Sequence, residues 1–161
     1  MRRGILFGLV LGLMVLGAAS VSSAQGGPVL EKVWAPAEVN YGSILKVYVK
    51  ASDPEGDMRW VLVSAGKTGQ AQPTGSTPIR LNKASRKSVN GYVYWDTTKA
   101  AQKNTAGIIS IQVEDFKGQE SEPMTVTVKI VPKGAKVEQV PAEFQEAEIG
   151  PVLLDTIQRA Y

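Results

Sequence analysis

The chain has 161 residues, of which 43% are hydrophobic and 20% are charged, with a formal net charge of +3. It contains neither cysteine nor histidine, which excludes disulfides, a Ser-His-Asp triad, a cysteine nucleophile, and zinc, haem or copper sites built from their usual ligands. The composition therefore predicts a protein that is not an enzyme, needs no cofactor and is held together by burial.

The first segment has the three parts of a secretory signal peptide. Arg2 and Arg3 give a basic start, Ile5 to Ala19 is uncharged, and the small residues Ser22 and Ala24 follow. This pattern predicts cleavage after Ala24. An uncleaved anchor is the alternative, but a helix that spans the hydrocarbon needs about twenty apolar residues.

Cleavage places the mature protein in the periplasm or outside the cell, with no membrane insertion afterwards. Because Arg2 and Arg3 leave with residues 1–24, the net charge falls to about +1. Net charge therefore does not indicate a nucleic-acid partner or an anionic membrane surface.

From Val29 to Val131 the apolar residues recur with a period of two, which is typical of strands with one buried face. The predicted strands are Val29–Trp34, Ile44–Ala51, Met58–Ser64, Ile79–Leu81, Val89–Trp95, Gly107–Val113 and Met124–Ile130. Polar, Gly and Pro residues separate them. Seven short strands with such turns predict an all-β sandwich or barrel over residues 25–131, in which we expect Trp60 to lie in the core.

Three stretches carry a family resemblance: "VNYGSILKVYVKASDPEGD", "GYVYWDTT" and "IISIQVEDFKGQESEPMTVTVKIV". They resemble bacterial immunoglobulin-like domains of the cadherin-like or polycystic-kidney-disease-repeat kind. The resemblance implies a seven-stranded antiparallel immunoglobulin-like β-sandwich that serves as a binding module, spacer or adhesion unit. The chain has one copy of the unit and lacks the fuller set of acidic motifs of cadherin arrays.

In a sandwich of this kind, successive connections alternate between the two ends. One end would then collect the turn with Asp53, Glu55 and Asp57, the basic turn with Lys83, Arg86 and Lys87, and the turn with Glu114 and Asp115. Calcium binds oxygen ligands, several of them carboxylates. A calcium site made by Asp53, Glu55, Asp57 and Asp115 is one hypothesis.

The alternative is that this sequence only turns the chain, because Pro54 fixes φ and Gly56 tolerates a positive φ. The basic turn would then neutralise the acids. Paired carboxylates also occur in glycoside hydrolases, but a small sandwich has no deep cleft in which burial could raise a carboxylate pKa. The calcium site and the turn without a bound ion therefore both stay open as interpretations.

Aromatic residues concentrate in the fifth predicted strand. Alternation places Tyr92 and Tyr94 on one face and Val93 and Trp95 on the other. If exposed, Tyr92, Tyr94 or Trp95 could stack on a carbohydrate; the alternative is cross-strand aromatic pairing.

Residues 132–161 depart from the period of two and predict a linker followed by a partly helical tail. Pro141 to Ile149 predicts a short helix, and a second would begin at Pro151. Its apolar side would carry Leu153, Leu154, Ile157 and Tyr161. Since a helix this short is marginal in water, we expect the stripe to dock on its own sandwich or to bind a partner, or the tail to be disordered.

Together these features predict an exported, non-enzymatic module of the cell envelope or extracellular space that acts through protein–protein interaction. Its expected partner is an envelope or extracellular protein. A carbohydrate- or calcium-binding accessory module is the alternative.

Overall fold

The computed structural model describes residues 26–67, 76–99 and 106–153. The predicted signal peptide therefore lies outside the described residues, as do positions 154–161. The described strands are β1 (Val29–Trp34), β2 (Glu38–Asn40), β3 (Ile44–Ser52), β4 (Met58–Lys67), β5 (Ser76–Arg80), β6 (Ser88–Asp96), β7 (Ala106–Asp115), β8 (Met124–Val131) and β9 (Glu148–Pro151).

These strands form two sheets that pack face to face. The first sheet has the order β1-β3-β6-β9, and the second has the order β2-β8-β7-β4-β5. The predicted all-β sandwich is confirmed. Two short strands were not predicted, β2 and β9, and both pair in parallel, β2 with β8 and β9 with β6. The described sandwich is therefore not purely antiparallel and has nine strands instead of seven.

The core lies between the sheets and follows the predicted alternation. In β3 the buried side chains include Leu45, Val47 and Val49, while Ile111 and Val113 of β7 come from the facing sheet. Strands β3 and β6 pair from Ile44 to Ser52 without irregularity. A period of two thus fixes which side chains enter the core.

A β-bulge in β4 changes the face on which Trp60 lies. The β4–β7 register shifts between Met58 and Trp60, and an extra residue in one strand reverses the alternation after it. Met58 and Val61 are therefore both buried, while Trp60 is only half-buried and lies outside the core cluster. The prediction that Trp60 is a core residue was wrong for this reason.

The tail also differs from its prediction, because the segment from Pro141 to Ile149 is not helical. The Phe144 amide donates to the Pro141 carbonyl in a single turn, 3.0 Å, and the chain then extends into β9. The edge of β6 provides hydrogen-bond partners for the backbone of this segment: the Tyr92 amide donates to the Ala147 carbonyl at 2.8 Å. A short isolated helix is only marginally stable in water, so pairing with the free backbone groups of a sheet edge is the more stable alternative for this segment.

No helix in the described ranges is long and apolar enough to cross a bilayer.

Candidate functional site

Three connections meet at one end of the sandwich, as predicted. The Asp53 amide donates to the Lys87 carbonyl at 3.0 Å, which joins the β3–β4 turn to the basic turn before β6. The Phe116 amide donates to the Asp57 carbonyl at 3.1 Å, which joins the β7–β8 turn to the β3–β4 turn. Backbone hydrogen bonds therefore hold the acidic and basic turns together.

Two aspartates at this end are almost completely buried. Asp53 is 1% exposed and Asp115 is 0% exposed. Asp53 Oδ1 accepts the amide of Glu55 at 2.8 Å, and Asp115 Oδ1 accepts the amides of Lys117 and Gln119, both at 2.8 Å. Each carboxylate thus shapes its own turn, which is a common use of aspartate in a loop.

The β3–β4 turn also uses its glycine as predicted. Gly56 has a φ of +74° and donates its amide to the Asp53 carbonyl at 3.2 Å. Residues with a β-carbon rarely adopt this conformation.

Three carboxylate oxygens at this end are buried and accept no hydrogen bond from the described residues: Asp53 Oδ2, Asp57 Oδ1 and Asp115 Oδ2. Burial raises the pKa of Asp57, and the neighbouring carboxylates of Asp53 and Asp115 raise it further. We call these three residues the acidic end. A proton or a bound cation would relieve the repulsion between them.

Glu55 does not join this group. Its side chain is exposed and pairs with Lys117, and this pairing raises the pKa of the Lys117 ammonium. Across the described ranges, no three or more acidic side chains take up an arrangement that could hold a metal ion. The structure thus brings all four predicted calcium ligands to one end, but it groups only Asp53, Asp57 and Asp115 and does not form a ligand set among the described residues.

Aromatic rings form a row on the outer face of the first sheet. Centroid distances are 5.6 Å for Trp34–Tyr48, 5.6 Å for Tyr48–Tyr92 and 6.4 Å for Tyr92–Tyr94. Trp95 lies on the opposite face and packs against the core. The predicted division of the aromatics between two faces is confirmed. The Trp34–Tyr48 and Tyr48–Tyr92 contacts are cross-strand pairs, and Tyr92–Tyr94 is a contact within β6.

Residues 135–153, which we call the C-terminal strap, cross this row of rings. The strap begins at the end of β2, where the Ala135 amide donates to Asn40 Oδ1 at 3.0 Å. It reaches β6 where Asn90 Nδ2 donates to the Glu143 carbonyl at 2.9 Å, and the Gln145 amide donates to Asn90 Oδ1 at 3.0 Å. It therefore spans the outer face from one side of the first sheet to the other.

Side chains fix the strap to this face. The Phe144 ring lies 5.8 Å from the ring of Tyr48, and the Tyr48 hydroxyl donates to Glu146. Tyr48 is only 2% exposed, and burial, followed by the Glu146 carboxylate, raises its pKa. Lys46 pairs with Glu146 and lowers the pKa of that carboxylate, as the Tyr48 hydroxyl also does.

An ion pair between Lys32 and Glu143, 2.8 Å, adds a second charged contact to the strap. Residues 135–153 of the tail thus dock on the sandwich, but through Glu143, Phe144 and Glu146. The docking predicted for the apolar stripe is not tested, because Leu153 is exposed and the rest of the stripe lies outside the described residues. The sequence contained a partial signal for it. Lys46, Tyr48 and Lys50 alternate on the outward side of β3 and could receive acidic and aromatic residues from another segment.

A polar cavity of about 290 Å³ lies between the strap and the β5–β6 connection. Its lining residues are Arg80, Leu81, Asn82, Ser85, Ser88, Val89, Asn90, Gln145, Ala147, Glu148 and Ile149. The sequence did not predict this cavity, because one of its walls belongs to the segment that was expected to be helical.

The strap ends at an exposed apolar residue. The Leu153 carbonyl accepts a hydrogen bond from Thr77 Oγ1 at 3.1 Å, while the Leu153 residue is 64% exposed. The other predicted partner-binding residues, Leu154, Ile157 and Tyr161, lie outside the described residues.

The two packed sheets and their strand order define an immunoglobulin-like β-sandwich. No family model and no curated protein matches the chain. Among solved structures, it is similar to the PKD domain of an M14-like peptidase from a Thermoplasmatales archaeon. The two are 19% identical with a TM-score of 0.42, and the match covers 65% of this chain and 96% of that chain.

Proposed function

We propose that the protein is an exported, non-enzymatic binding or structural module of the cell envelope or extracellular space, which acts through protein–protein interaction. One observation carries the proposal: β9 fixes the strap to the edge of the first sheet and leaves Leu153 exposed where the strap ends. The chain beyond this point carries Leu154, Ile157 and Tyr161. A partner in the envelope or outside the cell would bind this apolar end.

The position of Leu153 favours recognition of a specific partner. The amide of Val152, the residue before it, donates to the Tyr94 carbonyl at 2.8 Å, so the backbone is held to β6 immediately before the exposed side chain. A residue presented from a fixed point loses less conformational freedom on binding. The predicted cleavage after Ala24 places this surface in the periplasm or outside the cell.

Site-specific photo-cross-linking tests the proposal. A benzophenone amino acid in place of Leu153 should yield one discrete adduct in the native envelope or secreted fraction, identified by mass spectrometry. The same probe at Thr125, an exposed position on the outer face of the second sheet, is the control. Adducts of equal number and intensity from both positions would contradict a partner surface at the strap end. Mass spectrometry of the exported protein should also show an N-terminus at Gln25.

A calcium-binding module is the second candidate, and the three buried, unpartnered oxygens of the acidic end favour it. Calcium accepts six to eight oxygen ligands in flexible geometry, so the carboxylates would have to turn toward one another and recruit backbone oxygens or water. Isothermal titration of the full chain with calcium should show heat and a raised melting temperature, both lost in Asp115→Asn. Absence of heat at millimolar calcium would refute this candidate.

A further inference from the structure

The β-bulge in β4 places two consecutive side chains close together. In a regular strand, neighbouring residues point to opposite faces, yet the guanidinium carbon of Arg59 lies 5.0 Å from the centroid of the Trp60 ring. The register shift between Met58 and Trp60 makes this contact feasible. The Arg59 carbonyl also accepts the amide of Leu81 at 2.9 Å, which holds the bulge against the chain that follows β5.

A second arginine approaches from the basic turn. The Phe116 ring, at the start of the β7–β8 turn, has Arg59 at 5.4 Å and Arg86 at 4.6 Å from its centroid. Phe116 is 45% exposed. We call Arg59, Trp60, Arg86 and Phe116 the arginine–aromatic cluster. Backbone bonds between the turns hold it in place, since the Met58 amide donates to the Arg86 carbonyl at 3.1 Å.

The two guanidinium charges lack acidic partners within the described part of the chain. Ion pairs there involve lysines only: Lys32–Glu143, Lys46–Glu146, Lys50–Glu31 and Lys117–Glu55. Glu114 lies opposite Trp60 in the β4–β7 register, but it forms no ion pair with either arginine. Arg86 Nε is moreover buried without an acceptor. The cluster therefore offers charge and hydrogen-bond donors that its own domain leaves unused.

We propose that the arginine–aromatic cluster is a docking site for an acidic protein segment that carries an apolar side chain. A guanidinium fork matches a carboxylate and binds it with two parallel hydrogen bonds. Stacking on the rings restrains both arginines before the partner arrives, which lowers the entropic cost of binding. The exposed Phe116 ring supplies an apolar anchor of the kind that dominates protein interfaces.

The exposed Phe116 ring favours a polypeptide over an anionic polysaccharide, because a polypeptide can place a fully apolar side chain on this ring beside its carboxylates, whereas a sugar offers only the C–H face of a hydroxylated ring. This site is separate from the strap end. It would stand even if the cross-linking experiment on Leu153 failed.

Fluorescence anisotropy with a short labelled peptide tests the proposal. The probe consists of glutamates around one central phenylalanine, and the comparison peptide has glutamine in place of each glutamate. The full chain should bind the acidic peptide and not the glutamine peptide, with affinity that falls as salt rises. Arg59→Gln and Arg86→Gln should each weaken binding about tenfold, and Phe116→Ala should weaken it as well.

Lys133→Gln is the matched control, since it removes one positive charge from an exposed residue outside the cluster. It should leave the dissociation constant unchanged, and circular dichroism should show that every variant keeps its fold. Equal loss of affinity in Lys133→Gln, equal binding of both peptides or no binding at millimolar peptide would overturn the proposal. Tighter, Arg86-dependent binding of polygalacturonate would overturn it in favour of an anionic polysaccharide.

Discussion

Replacing Gly91 with alanine should separate the strap from the sandwich. Gly91 lies in β6 beside the part of the strap that leads into β9. A β-carbon there would stand 3.1 Å from the carbonyl carbon of Ala147 and 3.2 Å from Cγ1 of Ile149, with the Ala147 carbonyl oxygen nearer still. These atoms belong to backbone and to a half-buried side chain. The strap must therefore move away, and the hydrogen bond from the Tyr92 amide to the Ala147 carbonyl must lengthen or break.

The size of the effect follows from the atoms that must move. Overfilling a packed site costs about 1–3 kcal/mol, and loss of one buried backbone hydrogen bond costs about 1 kcal/mol. Alanine in place of glycine stabilises the folded state by about 0.4–1 kcal/mol, because it lowers the conformational entropy of the unfolded chain. We expect Gly91→Ala to lower the free energy of unfolding by about 2–3 kcal/mol, which corresponds to a melting temperature lower by roughly 5–10 °C.

Thermal unfolding and hydrogen exchange provide the assay, and Gly107→Ala provides the control. A β-carbon at Gly107 in β7 would lie 3.6 Å from the Gly66 carbonyl oxygen, an ordinary contact distance. This variant should change stability by no more than about 1 kcal/mol. In Gly91→Ala, amides of residues 144–152 should exchange faster while those of β7 stay protected. Equal stability of the two variants, with unchanged exchange in the strap, would refute the reasoning.

Three further predictions concern the acidic end and the core. The pKa of Asp57 is raised in the folded state. The protonated Asp57 side chain therefore stabilises the fold below the ordinary pKa of aspartate, and this stabilisation is lost as the pH rises through the raised pKa. Asp57→Asn should raise the melting temperature at pH 7, and its difference from the wild type should disappear near pH 3. Asp115→Ala leaves two turn amides without an acceptor, so urea unfolding should show a loss of about 3 kcal/mol, whereas Asp115→Asn keeps one oxygen and should lose less. Ile111→Ala, at a fully buried position, should lower the free energy of unfolding by about 2–5 kcal/mol. Trp60→Ala should lower it less, because Trp60 lies outside the core. A larger loss of stability for Trp60→Ala in the same urea unfolding assay would contradict the placement of Trp60 outside the core.

Much of the sandwich could be predicted from the sequence because side-chain alternation records burial directly. Leu45, Val47 and Val49 alternate with polar or outward residues, and their strand pairs without irregularity. The convergence of the acidic and basic turns followed from the same pattern, since strand direction decides at which end each turn lies.

The errors arose where backbone geometry outside the strand itself decided the outcome. Nothing in the stretch around Trp60 marks an extra residue relative to β7, so simple alternation placed Trp60 inside. The Pro141–Ile149 segment has plausible helix signals, yet its conformation depends on a distant edge at Tyr92 and on partners such as Tyr48. The arginine–aromatic cluster was also missed, because Arg59, Arg86 and Phe116 come from three separate parts of the chain.

The strap has a consequence for the order in which the protein matures. Synthesis delivers the amino-terminal part first, so the eight strands β1–β8 and the row of rings can form before residues 148–151 pair with β6. Until then β6 is an unprotected sheet border, the kind of template on which neighbouring chains aggregate. Ribosomes that terminate before residue 148 would therefore release a product prone to self-association, whereas β9, once synthesised, covers the β6 edge.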